Sequence, residues 1–181
     1  MESGYHTDHW MDLERLCRRP EVVEPLARAL AARLRPYNVD AVCGPLNEGA
    51  FIALMVASEL GCDFTYAERH APADGAALMA VRYTISPPMR ASVAGRRVAI
   101  VNDVVSAGSA VRGAYADLLA HGAQVPAIGA LLVLGDAFAP FAQEHRLAVE
   151  SLAEAPFEIW APDACPLCAQ GRAVDDPLPE A

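Results

Sequence analysis

The sequence has no apolar run of the roughly 18 to 20 residues that a membrane-spanning helix needs. Its first residues also lack the basic start and apolar stretch of a secretory signal peptide. The five cysteines are an odd number, and Cys17, Cys43 and Cys62 stand in apolar surroundings, where free buried thiols are normal. We therefore expect a cytoplasmic protein without a disulfide framework and without a membrane partner.

Basic residues are also scarce. Fourteen lysines and arginines stand against 23 acidic residues, and the formal net charge is −9. A broad nucleic-acid interface needs a basic face, so we expect no nucleic-acid partner. A polyanionic small ligand would have to be bound by local groups, namely helix N-termini, a few arginines and a divalent cation.

Apolar residues, in contrast, are abundant: hydrophobic residues make up 54% of the 181 residues, enough for the core of one domain. The alternation of helices and strands predicts an α/β fold, a mostly parallel central sheet flanked by helices. We expect a single domain over residues 1–170 and a loose tail over 171–181. The apolar spacing predicts helices over 21–34, 50–60 and 110–121, and strands over 40–43, 63–66, 98–101, 126–134 and within 78–85.

The chemistry is concentrated after the strand at 98–101. In open parallel sheets, ligands bind beyond the carboxyl ends of the strands. Asn102 and Asp103 follow this strand, and Asp103 can accept hydrogen bonds from sugar hydroxyls or help to hold a metal. The next residues are small or hydroxylated, so backbone N–H groups and the positive end of the following helix can converge on a phosphate. They are Ser106, Ala107, Gly108, Ser109 and Ala110.

The same pattern also fits a tight turn that binds nothing. In that interpretation Ser106 is an ordinary helix N-cap and Asp103 is a solvated charge. A family resemblance favours the ligand-binding alternative. The segment VAIVNDVVSAGSAV resembles the phosphoribosyl-pyrophosphate (PRPP) signature of the type I phosphoribosyltransferases, a hydrophobic strand followed by two acidic residues, two apolar residues and a turn rich in Ser, Thr and Gly. The resemblance implies that the acidic pair contacts the ribose and the turn holds the 5′-phosphate.

Other segments resemble the same family in order and spacing, closest to its orotate branch, over about residues 3–135. Residues 3–12 resemble the hood over the base, 43–50 the pyrophosphate loop, 64–69 the next strand, and 69–95 the mobile loop. The resemblance implies a small N-terminal hood from about residues 1–20 and part of the C-terminal segment, Mg²⁺ as cofactor and a homodimer. It implies pyrophosphate contacts from Leu46, Asn47, Gly49 and Arg69, and base contacts from Tyr5, His9 and Trp10.

Four features depart from the family pattern. Asn102 replaces an acidic residue, which removes a charge that would favour an oxocarbenium-like transition state. Glu48 stands at a usually glycine position of the pyrophosphate loop, where it would repel phosphate unless it points away or binds through Mg²⁺. The Lys-Lys-x-His-Gly cluster of the mobile loop is absent, with only Arg82, Arg90, Arg96 and Arg97 nearby. The carboxylate-binding arginine is missing near 134–136, and Glu2 replaces the lysine of the hood.

A Cys-x-x-Cys pair at Cys165 and Cys168 has the spacing of half a zinc knuckle. His145, His6, His9 or a second subunit could complete a metal site. Two reduced thiols in a C-terminal turn are the favoured alternative, because no second pair exists.

Together these residues predict an enzyme that transfers ribose 5-phosphate from PRPP to a nitrogenous acceptor with release of pyrophosphate. Asp103, Asn102 and Glu48 are the candidate catalytic residues. Two alternatives stay open. The chain could bind ribose phosphates as a regulatory protein without turnover, or it could act on an unusual acceptor or ribose phosphate. For the hood aromatics, packing on the core is an alternative to stacking on a base.

Overall fold

The protein is described from a computed structural model that covers residues 1, 3–9, 11, 13–70 and 81–174, with Glu14 and Glu48 described for the backbone alone. Its strands are β1 (Ala41–Pro45), β2 (Asp63–His70), β3 (Arg82–Ile85), β4 (Val98–Val105), β5 (Ala127–Leu134) and β6 (Ala148–Ala155). Its α-helices are α1 (Glu14–Cys17), α2 (Pro20–Leu34), α3 (Glu48–Leu60), α4 (Arg90–Val93), α5 (Ser109–Ala120), α6 (Ala139–Glu144) and α7 (Pro166–Ala169). None of these helices is long and apolar enough to cross a bilayer.

The six strands form one sheet in the order β3-β2-β1-β4-β5-β6. All neighbouring strands are parallel except β2 and β3, which run antiparallel. Chain order reverses between β1 and β4, so this pair is the topological switch point of the sheet. The α/β fold predicted from the sequence is confirmed.

The central strands are buried on both faces. In β4, Val98 and Ile100 pack into one apolar layer with α5, whereas Ala99 and Val101 pack into the other with α2 and α3. All four side chains are completely buried. A continuous apolar run is the expected sequence of a strand covered by helices on both sides.

The structure differs from the sequence prediction at three strands. β4 continues to Val105, so Asn102 and Asp103 lie within the strand and not after it. β2 extends to His70, where pairing with β3 replaces part of the predicted irregular stretch. β6 was not predicted, because an edge strand pairs on one side only and tolerates the polar residues of its sequence AVESLAEA.

The N-terminal and C-terminal segments meet outside the sheet. The backbone N–H of His6 donates to the carbonyl of Trp160 at 2.8 Å, and that of Trp160 donates to His6 at 2.9 Å. This antiparallel bridge ties residues 3–9 to the segment that follows β6. The hood predicted from both chain ends and the domain boundaries stay predictions. The predicted tail is described only as far as residue 174.

Candidate active site

A crevice of about 230 Å³ opens at the carboxyl ends of β1 and β4. The two strands pair only as far as Cys43 and Ile100. Beyond that point β1 pairs with β2 and β4 pairs with β5, so the backbones separate at the switch point. In open α/β sheets, ligands bind in the crevice that this separation of the strands creates.

One wall of the crevice is the predicted phosphate turn. Residues 106–110 all line it and lead directly into α5, whose first N–H groups have no partner within the helix. The Ser106 hydroxyl oxygen is buried and has no hydrogen-bond partner in the described part of the chain. A buried hydroxyl without a partner is costly, so Ser106 Oγ is suited to meet a ligand. The structure therefore brings together the groups that the sequence predicted for anion binding.

Gly108 has a role that the sequence did not reveal. Its φ of +77° is left-handed, and a β-carbon at this position would overlap the ring of Phe138. A side chain at this position would therefore displace Phe138, a buried core residue.

The opposite wall contains the predicted pyrophosphate-loop residues Leu46, Asn47 and Gly49. The N–H of Leu46 donates to the carbonyl of Ala67 at 2.9 Å, which fixes the loop to β2. Glu48 begins α3, and its side chain lies outside the described atoms.

Asn102 connects the two walls. Its Nδ2 donates to the carbonyl of Val104 at 2.7 Å, and its Oδ1 occupies the space where a β-carbon of Gly49 would lie. The amide therefore donates to its own strand and packs against the loop residue Gly49. Asp103 is half-buried and lines the crevice beside it. Of the two predicted ribose-binding residues, Asp103 offers the charged acceptor and Asn102 joins the strand to the loop.

No arginine is found among the described residues that line the crevice, and Asp103 is the sole carboxylate among them. The sequence contains no lysine at all, since its 14 basic residues are all arginines. Arg96 binds Asp63 at 2.5 Å, and the N–H of Arg97 donates to Asp40, both at the end of the sheet opposite the crevice. Arg90 donates to the carbonyl of Ile85. An anion in the crevice would therefore meet backbone N–H groups and hydroxyls first.

Arg112 was not predicted, and it supports the phosphate turn from behind. Its Nε donates to the carbonyl of Ala107 at 3.0 Å, and its Nη2 donates to Ala137 at 3.3 Å. The guanidinium lies over the ring of Phe141, 4.5 Å from its centre. Burial lowers the pKa of Arg112, although the group stays charged at any physiological pH. The sequence feature that could have identified Arg112 is its position in the first turn of the helix that follows the small residues.

The three predicted base-binding residues do not lie together in the described structure. His9 lines the crevice and packs edge-on against Phe157, with ring centres 4.7 Å apart. Tyr5 lines a neighbouring cavity together with Arg112 and Trp160. Trp10 lies outside the described residues. Arg69, predicted to meet pyrophosphate, lies on β2 in register with Tyr83 and is not among the lining residues of the crevice.

The Cys-x-x-Cys pair lies next to the N-terminal segment. Cys165, Cys168 and His6 each place a ligand atom within 4.8 Å of the other two. Of the three histidines that the sequence offered to complete a metal site, His6 is the one that the structure brings to the cysteines. All five cysteines are free thiols, and burial raises the pKa of Cys43 far above its usual range.

Comparisons with known proteins agree with this geometry. A family model described as the phosphoribosyl transferase domain matches residues 13–145. The orotate phosphoribosyltransferase of Thermotoga maritima is 28% identical over 177 residues, which cover 98% of this chain and 87% of that protein.

Two solved structures share the fold. The adenine phosphoribosyltransferase of Thermoanaerobacter pseudethanolicus superposes with a TM-score of 0.66 at 18% identity, covering 81% of this chain and 88% of the other. The Mycobacterium tuberculosis orotate phosphoribosyltransferase, solved with PRPP, gives 0.61 at 14% identity and covers 80% of each chain.

Proposed function

This chain belongs to the phosphoribosyl transferase domain family, and we propose on that premise that it transfers ribose 5-phosphate from PRPP to a nitrogenous acceptor, with release of pyrophosphate. The observation that carries the proposal is the phosphate turn, where the buried Ser106 hydroxyl has no partner among the described residues and α5 begins at the same crevice. The relative from Thermotoga maritima carries the name of such a transferase, and the Mycobacterium tuberculosis structure was solved with PRPP.

The phosphate end of the substrate would be held by the turn. Backbone N–H groups at the start of α5 and the hydroxyl of Ser106 supply neutral donors, and the helix N-terminus adds a favourable potential for an anion. Arg112 would act as a positioning residue, because it holds the carbonyl of Ala107 and leaves the N–H groups of the turn directed at the ligand. Neutral donors suit a protein with a net charge of −9.

Asp103 would hold the ribose. Its carboxylate lines the crevice at the end of β4, next to the phosphate turn, where it can accept hydrogen bonds from the sugar hydroxyls. Positive charge develops on the sugar as the bond to pyrophosphate breaks, so a negative carboxylate lowers the energy of the transition state. The acceptor nitrogen then forms the new bond to the anomeric carbon, and the electron pair of the old bond leaves with pyrophosphate.

Mg²⁺ fits the donor set of the crevice. This ion is usually held by one or two carboxylates together with substrate phosphates, and Asp103 supplies one carboxylate on the described lining. When bound, Mg²⁺ would neutralise charge on the diphosphate leaving group. Leu46, Asn47 and Gly49 would face the diphosphate on the opposite wall, with Asn102 keeping that wall in place.

The direct test is pyrophosphate release from PRPP and Mg²⁺ with a panel of nitrogenous bases. We expect base-dependent release by the wild type and a loss of at least about tenfold in Asp103→Asn, because a charge-assisted hydrogen bond is worth about 1.5 to 3 kcal/mol. Asp163→Asn is the matched control, since Asp163 is exposed and does not line the crevice. PRPP binding without release for any base would instead support a binding protein that lacks turnover.

A further inference from the structure

A cluster of soft ligands lies outside the proposed active site, where the two ends of the chain meet. The Nδ1 atom of His6 is 3.3 Å from Sγ of Cys168. Cys165 is buried, with 4% of its surface exposed, whereas His6 and Cys168 are half-buried. The ligand atoms of all three residues lie within 4.8 Å of one another.

These separations match one shared cation. Zn²⁺ binds cysteine sulfur at about 2.3 Å and histidine nitrogen at about 2.0 to 2.1 Å, so its tetrahedral ligands are about 3.5 to 3.8 Å apart. His6 Nδ1 and Cys168 Sγ are 3.3 Å apart, close to this range, and the other pairs lie within 4.8 Å. Two thiolates and one imidazole are also the donor types that favour Zn²⁺ over Mg²⁺ or Ca²⁺.

The backbone prepares the ligands. Cys165 is the N-cap residue of α7 and Cys168 lies within this helix, where the N–H of Ala169 donates to the carbonyl of Cys165 at 3.1 Å. The two hydrogen bonds between His6 and Trp160 fix the position of the histidine relative to the C-terminal segment. Each ligand is therefore held by contacts that do not depend on the metal.

A fourth position is open to solvent. The three residues line a cavity of about 340 Å³, which Thr7, Asp8 and Arg172 also line. The Thr7 hydroxyl is buried and without a hydrogen-bond partner in the part of the chain that the structure describes. A water molecule on the metal could accept or donate a hydrogen bond there, which would satisfy the Thr7 hydroxyl.

We propose that His6, Cys165 and Cys168 bind Zn²⁺, with water as the fourth ligand, and that the ion fastens the N-terminal segment to the C-terminal segment. The site makes no contact with the reacting atoms of the proposed transfer. It acts on the crevice through its neighbours, because Ser3 and His9 on one segment and Phe157 on the other line the crevice. The ion thus stabilises one wall of the substrate site.

Metal binding is tested on the full-length protein, purified without chelator. We expect stoichiometric zinc, and titration of the metal-free protein with Co²⁺ should give the near-ultraviolet charge-transfer band of thiolate ligands. Cys165→Ser and Cys168→Ser should each lower the intensity of that band per bound Co²⁺ and weaken Co²⁺ binding at least tenfold, and His6→Gln should weaken binding as well. Cys62→Ser and His70→Gln are the matched controls, since both residues lie on or beside β2 and outside the cluster.

Removal of zinc from the wild type should lower the thermal midpoint, and added Zn²⁺ should restore it. A wild-type Co²⁺ titration without a thiolate band would overturn the proposal, and so would a Cys165→Ser variant with wild-type affinity. Thiol titration of the untreated, denatured protein gives a further check. A deficit of two thiols that reductant restores would show a disulfide in place of the metal site. None of these measurements depends on transferase activity. The zinc site can therefore be disproved while the proposed function holds, and the proposed function can be disproved while the zinc site holds.

Discussion

The side-chain oxygen of Asn102 lies against the backbone of Gly49, in the space where any β-carbon at that position would be. The contact joins two segments more than 50 positions apart in the sequence, the end of β4 and the start of α3. Because the crevice lies between these segments, the contact sets the distance between its two walls. Asparagine at 102 therefore has a structural role that the sequence alone does not explain.

Gly49→Ala tests this contact. The new methyl group would displace Oδ1 of Asn102. This movement of the amide would break the hydrogen bond from Nδ2 of Asn102 to the carbonyl of Val104, which is worth about 1 kcal/mol. Alanine stabilises a helix relative to glycine by about the same amount. We expect little net change in the free energy of unfolding, yet at least about tenfold weaker PRPP binding by calorimetry.

The double variant separates this explanation from general damage. In an Asn102→Ala background the space beside Gly49 is free, so Gly49→Ala should cost little further affinity. Ser58→Ala, on an exposed position of the same helix, is the control for helix propensity. Additive losses in the double variant would mean that Gly49 and Asn102 act independently.

Asn102→Asp is expected to destabilise the protein. In the structure, the new oxygen would replace Nδ2 and face the carbonyl of Val104 at 2.7 Å, with no proton between them. We expect a loss of about 1 to 3 kcal/mol at neutral pH, measured by urea unfolding.

This loss has a predicted pH dependence. Repulsion raises the pKa of the introduced carboxyl in the folded state above its unfolded value of about 3.9. The deficit is therefore complete above the folded pKa, declines as pH falls towards the unfolded pKa, and disappears below about pH 3, where both states are protonated. A deficit that is constant from neutral pH to pH of about 4 would contradict this explanation.

Arg112→Lys is expected to weaken PRPP binding by about tenfold. Its effect on kcat, the rate of turnover of bound substrate, should be smaller. Lysine keeps the charge but cannot donate to the carbonyls of Ala107 and Ala137 in the same fork geometry. The loss should appear in KM for PRPP and not in kcat, because Arg112 acts through the turn. Arg82→Lys, at an exposed position of β3, is the control and should behave as wild type.

The carboxylate of orotate should not strengthen the binding of orotate to this protein. No arginine is among the described lining residues, and the sequence has no lysine, so this group would meet no arginine or lysine side chain in that part of the crevice. We expect orotate to bind at about millimolar strength or weaker and within a few-fold of uracil, which lacks the carboxylate. Competition measurements that show orotate to be at least a hundredfold tighter than uracil would place a basic group at the base site.

The sequence predicted the features that depend on local pattern. The apolar run at 98–101 was enough to predict a buried strand, and the small residues at 106–110 were enough to predict a turn into a helix, because backbone geometry alone produces both. The family resemblance was needed to favour anion binding at that turn. Contacts between distant segments could not be predicted. The interaction of Asn102 with Gly49 and the packing of Phe138 behind Gly108 arise only when the sheet and its helices assemble.

The edge of the fold was also harder to predict than its centre. β6 carries polar residues on a strand that pairs on one side, so its composition does not distinguish it from a loop. The sequence did not distinguish among the three histidines that could complete a metal site with the cysteine pair. The backbone bridge between His6 and Trp160, a contact between the chain ends, selects His6.

The affinity of Ser106→Ala for PRPP tests the central claim most directly, since Ser106 Oγ is the buried donor that we assign to the 5′-phosphate. Calorimetric titration with PRPP and Mg²⁺ should show binding about tenfold weaker than in the wild type, a loss of about 1.4 kcal/mol. Ser92→Ala should bind as the wild type does, because the Ser92 hydroxyl donates to Met89 at 2.7 Å and does not line the crevice. Equal PRPP affinity in Ser106→Ala and the wild type would contradict the assignment of this turn as the phosphate site.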